Sequence, residues 1–277
     1  MRLGMSSASF YGRLETEEGA AHLRDFGLDT CEVFLETHSE YTETFGRTVR
    51  EALGDMHCTS VHPKGTQFES DLFAQSERQR RDAMHIFQGV LDAGRAIGAS
   101  YYVLHGPPGF KHPSHIRMIR NLKTVYGEMR RRAADHGMEI LWENVSWCAC
   151  RDPEDIRDLL ENFPEQRFVL DVKQAMHASH NPFDILEAMG THLAHVHVLD
   201  WKEDGSLTLP GFGTLDFPCL MREMKKMGYD GAVILEPYNY MTEDENRVRE
   251  SLDYLRSVMR EAYSESNTHG RNDCEHT

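Results

Sequence analysis

Four apolar runs in this sequence end in groups that can transfer protons or bind cations. Glu139-Ile140-Leu141-Trp142-Glu143-Asn144-Val145 carries an acid and an amide near its end. Phe168-Val169-Leu170-Asp171 stops at an acid, Ala194-His195-Val196-His197 at an imidazole, and Ala232-Val233-Ile234-Leu235-Glu236 at a second glutamate. Strands buried on both faces read as continuous apolar runs, so a charged residue at the last position has left the core. If these runs are parallel strands of one closed sheet, their ends converge, and Glu143, Asp171, His197 and Glu236 form one mixed oxygen and nitrogen cage. Such a donor set suits a divalent cation. Without one, three carboxylates would repel each other across a partly dry pocket by on the order of several kcal/mol. A single strand-end glutamate could equally be an ion-pair partner of a nearby loop; the signal is the set.

Short β-branched or aromatic runs alternate with stretches of helical period along the chain, which implies repeated βα units and a parallel sheet. Strands are predicted near residues 2–6, 30–35, 56–62, 100–105, 139–144, 167–172, 193–198 and 231–236. Helices are predicted near 16–26, 42–53, 76–97, 114–136, 153–162, 181–189, 216–227 and 243–263. Glycines such as Gly98 and Gly137 stand where helices should stop, and Asp152-Pro153 and Asn181-Pro182 are favourable helix starts. Eight such units close most economically as a (β/α)8 barrel occupying residues 1–262 as one domain, with 263–277 a polar tail too poor in apolar residues to order itself. The alternative is an open doubly wound sheet, but no Gly-rich dinucleotide fingerprint follows any strand.

In such a barrel the active site lies at the carboxyl ends of the strands. Val61-His62-Pro63 and Leu104-His105-Gly106 each leave a β run with histidine. With 16 histidines in the chain, either is equally well a hydrogen-bonded rim residue or a substrate or metal contact. His195 and His197 share one strand face, and only His197 is near enough to the strand end to reach the mouth, leaving His195 to packing or a supporting hydrogen bond. Lys173 falls beside the cage, Trp147 and Phe110 follow strand ends and could wall the pocket, and Glu36 at the end of the second strand is a weaker candidate. Arg78, Arg80 and Arg81, and Arg130 to Arg132, read as solvated helix faces.

The net charge of −15, from 45 acidic and 30 basic residues, opposes non-specific attraction to a polyanion and so argues against a nucleic-acid partner. Six scattered cysteines match no zinc or redox spacing and read as reduced, mostly buried thiols. No leader and no membrane-length apolar run is visible, from which a cytoplasmic protein is expected, with a homo-oligomer compatible with the sequence.

The chain resembles the xylose isomerase-like TIM barrels, which include sugar and sugar-phosphate isomerases and epimerases, inosose dehydratases and endonuclease IV. The most specific match is His195-Val196-His197-Val198-Leu199-Asp200, followed by Pro210-Gly211-Phe212-Gly213-Thr214-Leu215-Asp216-Phe217. It is similar to that family's seventh-strand His-x-His-x-x-Asp and the Gly-x-Gly-x-x-Asp-Phe loop after it. Trp142-Glu143-Asn144, Leu170-Asp171 and Leu235-Glu236-Pro237 resemble its fifth, sixth and eighth strand motifs. The resemblance implies one divalent ion, Mn²⁺, Mg²⁺, Co²⁺ or Zn²⁺, held by Glu143, Asp171, His197 and Glu236. It also implies Glu143 and Glu236 as catalytic proton carriers on opposite faces of a sugar or polyol substrate. A metal that polarises a carbonyl and its neighbouring hydroxyl acidifies the adjacent C–H, which a flanking carboxylate can then deprotonate. Where the epimerases carry histidine three residues after the sixth-strand aspartate, this chain has Gln174, an amide able to hold a hydroxyl but unable to titrate. His62 and His105 look like zinc ligands of endonuclease IV. The rest of that cluster is incomplete, since no Asp-x-His follows His197 before the eighth strand, so His62, His105 and Gln174 are expected to contact substrate. The expected activity is a metal-dependent isomerase or epimerase. The alternatives are an apurinic-site endonuclease and a non-catalytic sugar-binding barrel.

Overall fold

The computed structural model describes residues 1–108, 115–116 and 119–264. Phe110, the start of the helix expected from 114, and the tail beyond 264 lie outside them. Eight parallel strands close into a barrel: β1 (Arg2–Ser6), β2 (Thr30–Leu35), β3 (His57–Pro63), β4 (Tyr101–Leu104), β5 (Glu139–Glu143), β6 (Arg167–Asp171), β7 (Leu193–Val198) and β10 (Ala232–Leu235), in spatial order β1-β10-β7-β6-β5-β4-β3-β2. The open-sheet alternative is thereby excluded. Between β7 and β10 a short antiparallel pair, β8 (Asp200–Trp201) and β9 (Leu207–Thr208), forms a hairpin the sequence reading did not predict.

Helices α1 (Thr16–His22), α2 (Glu43–Leu53), α3 (Glu69–Leu72), α4 (Glu77–Ile97), α5 (Leu122–Asp135), α6 (Pro153–Asn162), α7 (Val172–His177), α8 (Pro182–Met189), α9 (Phe217–Lys226) and α10 (Glu245–Ser264) surround the barrel. The helix expected over 16–26 tightens into a 3₁₀ turn from Leu23 to Phe26, and α3 and α7 are short additions at the mouth. Local chemistry sets several boundaries. The Asp152 side chain accepts from the Asp155 N–H with Pro153 at the first helical position, and Asn181 caps α8 in the same way. Gly98, at φ 90°, ends α4 in the left-handed conformation.

Outward-facing side chains such as Tyr102, Ile140, Trp142, Phe168, Leu170 and Val196 are buried with the helices in the main core. A separate apolar cluster, Val103, Leu141, Val169 and Ala194, is made by strand residues alone. It fits the two-residue period, because Val103, Leu141 and Val169 share faces with His105, Glu143 and Asp171. Among the described residues, no helix is long and apolar enough to cross a membrane. Cys31, Cys58, Cys148 and Cys150 are free and buried. Arg131 and Arg132 pair with Asp135 and Glu128 on the surface of α5, the solvated face expected of that run.

Candidate active site

The four strand-end groups meet. Glu143 and Asp171 are the last residues of β5 and β6, His197 is next to last in β7, and Glu236 follows β10 directly. One ligand atom from each lies within 4.8 Å of all the others. Glu143, Asp171 and His197 are each only 1% exposed, while Glu236 keeps 11% of its side chain accessible at the mouth. His197 Nδ1 lies 3.1 Å from Glu143 Oε1 and 3.7 Å from Glu236 Oε2. Asn144 fixes the β5 and β6 ends together: its amide donates to the Asp171 carbonyl at 2.9 Å, and its side-chain oxygen accepts from the Asp171 N–H at 2.8 Å.

The residues present fit a divalent cation. The donors are hard oxygens plus one imidazole nitrogen, and buried Glu143 Oε2 accepts no aligned hydrogen bond although His105 Nε2 lies 2.8 Å away. Burial alone would push Glu143 up, but the His105 and His197 imidazoles hold it well below the usual carboxylate range. Glu236 is likewise opposed by burial, yet Lys173 and His197 bring it down to about 2. Asp171 is pushed up to about 7 by burial, which the Lys173 ammonium only partly offsets, with Glu143 and Glu236 adding repulsion. His197 is held well above its ordinary value by Glu32, Glu236 and Glu143, against the effect of burial.

Lys173 belongs to the centre of this arrangement. Its ammonium is 3.2 Å from Glu236 Oε2 and 3.6 Å from Asp171 Oδ2, and it lies 5.0 Å from the ring centre of Tyr238. The turn that starts α7 brings it there: Asp171 Oδ1 accepts from the Gln174 N–H at 2.9 Å, capping the helix and folding Lys173 back over the strand end. Gln174 itself is tied to the loop after β5, its side-chain oxygen accepting from the Ser146 N–H at 3.2 Å and hydroxyl at 2.8 Å.

His62 and His105 also come to the cage, with their Nε2 atoms 2.7 Å apart and directed toward Glu143 Oε2. With Glu143 they make a second converging donor set, and Glu143 belongs to both. Burial opposes a charge on His62, but Glu236, Glu32 and Glu143 hold it up at about 10. His105 is set by Glu69, a buried residue of α3 that the sequence reading passed over. Glu69 accepts from the N–H groups of His105 and Gly106 at 3.1 and 3.0 Å and from the Tyr102 hydroxyl at 3.0 Å. Trp147 is 40% exposed and stands edge-on to His105, its ring centre 5.7 Å away.

Glu36, the weaker candidate at the second strand, joins no convergent donor set among the described residues. Glu36 sits past the end of β2 beside Glu40, whereas Glu32, within that strand, is fully buried and bonded to His197. Asp200 does not enter the cage. It accepts from the N–H groups of Trp201, Gly213, Thr214 and Leu215, and Gly213 must lack a side chain because a Cβ there would collide with the Asp200 carboxylate. The two halves of the most specific sequence motif are thus one loop-closing device.

The architecture is a closed parallel α/β barrel whose strand ends bring carboxylates and an imidazole to one buried point. The sequence matches the xylose isomerase-like TIM barrel family over residues 20–258, and the chain belongs to that family. A fructoselysine 3-epimerase from Escherichia coli O157:H7 is 22% identical over 213 residues, covering 72% of this chain and 75% of that protein. The crystal structure of a D-tagatose 3-epimerase-like protein superposes with a TM-score of 0.77 at 19% identity, covering 96% of this chain and 99% of that one. The IOLI protein, solved with a binding zinc atom, gives a TM-score of 0.70 at 16% identity and covers 96% and 99% of the two chains.

Proposed function

We propose that this chain is a divalent-cation-dependent epimerase or isomerase of a sugar or related polyol, acting by proton removal next to a carbonyl. The observation that carries the proposal is the convergence of Glu143 and Glu236 with Asp171 and His197 at the barrel mouth. When bound there, a divalent cation would polarise a substrate carbonyl and its neighbouring hydroxyl. Glu143 is kept ionised and can accept the proton from carbon. Glu236 enters from β10, separated from β5 by β6 and β7 in the sheet, and can address the opposite face of the same carbon. Lys173 supplies a fixed positive charge beside developing oxyanion character. His62, His105 and the Gln174 amide would hold substrate hydroxyls. The names of the relatives, a fructoselysine 3-epimerase and a D-tagatose 3-epimerase-like protein, support a sugar substrate, and the zinc atom of the IOLI protein supports a cation in this kind of barrel.

The test has two parts. Chelator-stripped protein is dialysed against Mn²⁺, Mg²⁺, Co²⁺ and Zn²⁺, and the loaded forms are then incubated in D₂O with ketoses, aldoses and inososes. Deuterium appearing on the carbon next to the carbonyl of one sugar, dependent on the cation, is expected. A sugar that binds tightly and exchanges nothing would instead make this a binding barrel. One observation favours a second reading, an apurinic-site endonuclease: the donor set of His62, His105 and Glu143 beside the first. That reading requires nicking of abasic duplex DNA and more than one zinc ion per chain.

A further inference from the structure

Glu32 has no assigned role, yet it is the most completely enclosed acid of the site. It lies on β2 at 0% exposure, just after the β2–β3 register shifts between Cys31 and Glu32. Such an irregularity re-aims a strand side chain. The carboxylate accepts from Ser6 Oγ at 3.1 Å and Ser60 Oγ at 2.8 Å on the neighbouring strands. Its Oε2 also meets His195 Nε2 at 3.2 Å and His197 Nε2 at 3.0 Å on β7, and His62 Nδ1 stands 3.5 Å from Oε1. Neither lysine nor arginine is among these partners. An isolated buried carboxylate is costly and an apolar or amide residue of similar size would cost less, so its retention calls for a task that needs an acceptor.

The task follows from hydrogen-bond roles. An ionised carboxylate only accepts, so the nitrogen of His197 facing it must carry a proton. Nδ1 lies 3.1 Å from Glu143 Oε1 and faces a carboxylate as well, so without a cation both nitrogens carry protons; a cation entering the cage would displace the Nδ1 proton and leave the remaining one fixed on Nε2 by Glu32. A carboxylate behind a ligating imidazole fixes its tautomer and ring orientation and raises its basicity. We propose that Glu32 is a positioning residue for the cation site: it holds His197 in the Nε2–H tautomer and so sets the affinity of the cage for a divalent cation. His195, edge-on to His197 and bonded to the same oxygen and to Ser60, keeps that oxygen from turning away. The inference rests on the cage being a cation site, and the experiment separates the two.

Mn²⁺ and Zn²⁺ affinities are measured calorimetrically on the chelator-stripped full chain and on Glu32→Gln, alongside circular dichroism and thermal unfolding. Glu32→Gln keeps the size of the side chain but turns an NH₂ toward one of the imidazoles. A folded variant with affinity lowered about 10- to 100-fold is expected, with Glu32→Asp in between. Unchanged affinity in folded Glu32→Gln overturns the positioning role and leaves the cage standing. No binding by the wild-type chain overturns both. Should the variant not fold, the ¹⁵N spectrum of the wild-type imidazoles decides. A protonated Nε2 with a metal-shifted Nδ1 on His197 upholds the proposal, and the opposite tautomer ends it.

Discussion

One layer below the cage, the barrel interior has two unlike sides. β4, β5 and β6 contribute Val103, Leu141 and Val169, all fully buried. β2, β3 and β7 contribute Glu32, Ser60 and His195, also fully buried but linked by hydrogen bonds of 2.8 to 3.2 Å. The difference follows from what stands above each side. Two of the three carboxylates, Glu143 and Asp171, end the apolar side, and for the proposed cation they would need only a dry floor that strengthens the attraction. The imidazole donor ends the polar side, and an imidazole needs a partner for its second nitrogen. On the proposed reading one half of the layer packs and the other orients.

The comparison breaks first at Glu143, which faces both donor sets. Glu143→Gln removes the proposed proton acceptor at nearly constant shape. With saturating cation and an identified substrate, kcat should fall by about 10² to 10⁴ while circular dichroism stays that of the wild type. Full turnover would remove Glu143 from proton transfer. The next largest effect concerns stability. Leu141→Ala, two residues below on the same strand, should cost about 2–5 kcal/mol in denaturant unfolding through the cavity it leaves. It should leave cation affinity unchanged, because that side of the layer only packs. A parallel loss of affinity would show that the apolar half also orients the cage.

The barrel was legible because its strands are apolar runs ended by polar residues, so the period and the punctuation agree. β5, β6, β7 and β10 lie within a residue or so of their expected bounds, which is why Glu143, Asp171, His197 and Glu236 could be read as a set. Glu32 was missed for the converse reason. It lies inside the run Thr30-Cys31-Glu32-Val33-Phe34-Leu35, away from the strand end where Glu36 is the weaker candidate. The available signal was physical: an acid within a doubly buried strand needs donors, and Ser6, Ser60 and His195 are polar interruptions of other strands. Glu69 gave no such signal, because α3 is a four-residue turn whose position depends on packing rather than periodicity. Lys173 was placed beside the cage from sequence, but its bridge between Asp171 and Glu236 depends on the cap that starts α7, which only the fold reveals.

The smallest effect sharpens the comparison from outside the barrel. Glu36, at the exit of β2, also stands among acids, but among the described residues it belongs to no convergent donor set. Burial, followed by the Glu40 and Glu15 carboxylates and only partly countered by Lys64, pushes it up to about 7. In the unfolded chain a glutamate titrates near about 4.3. The folded state therefore binds the proton more tightly, and stability falls as pH rises between those two values, with the penalty complete above about 7. Replacing Glu36 by Gln should raise the Tm at pH 8 and leave it unchanged at pH 4. The gain should be within about 0.5 kcal/mol, since much of the side chain is solvated and screened. Equal shifts at both pH values would mean that the charge of Glu36 is not what the fold opposes, and that grouped acids at this mouth are tolerated even without the partners that surround Glu32.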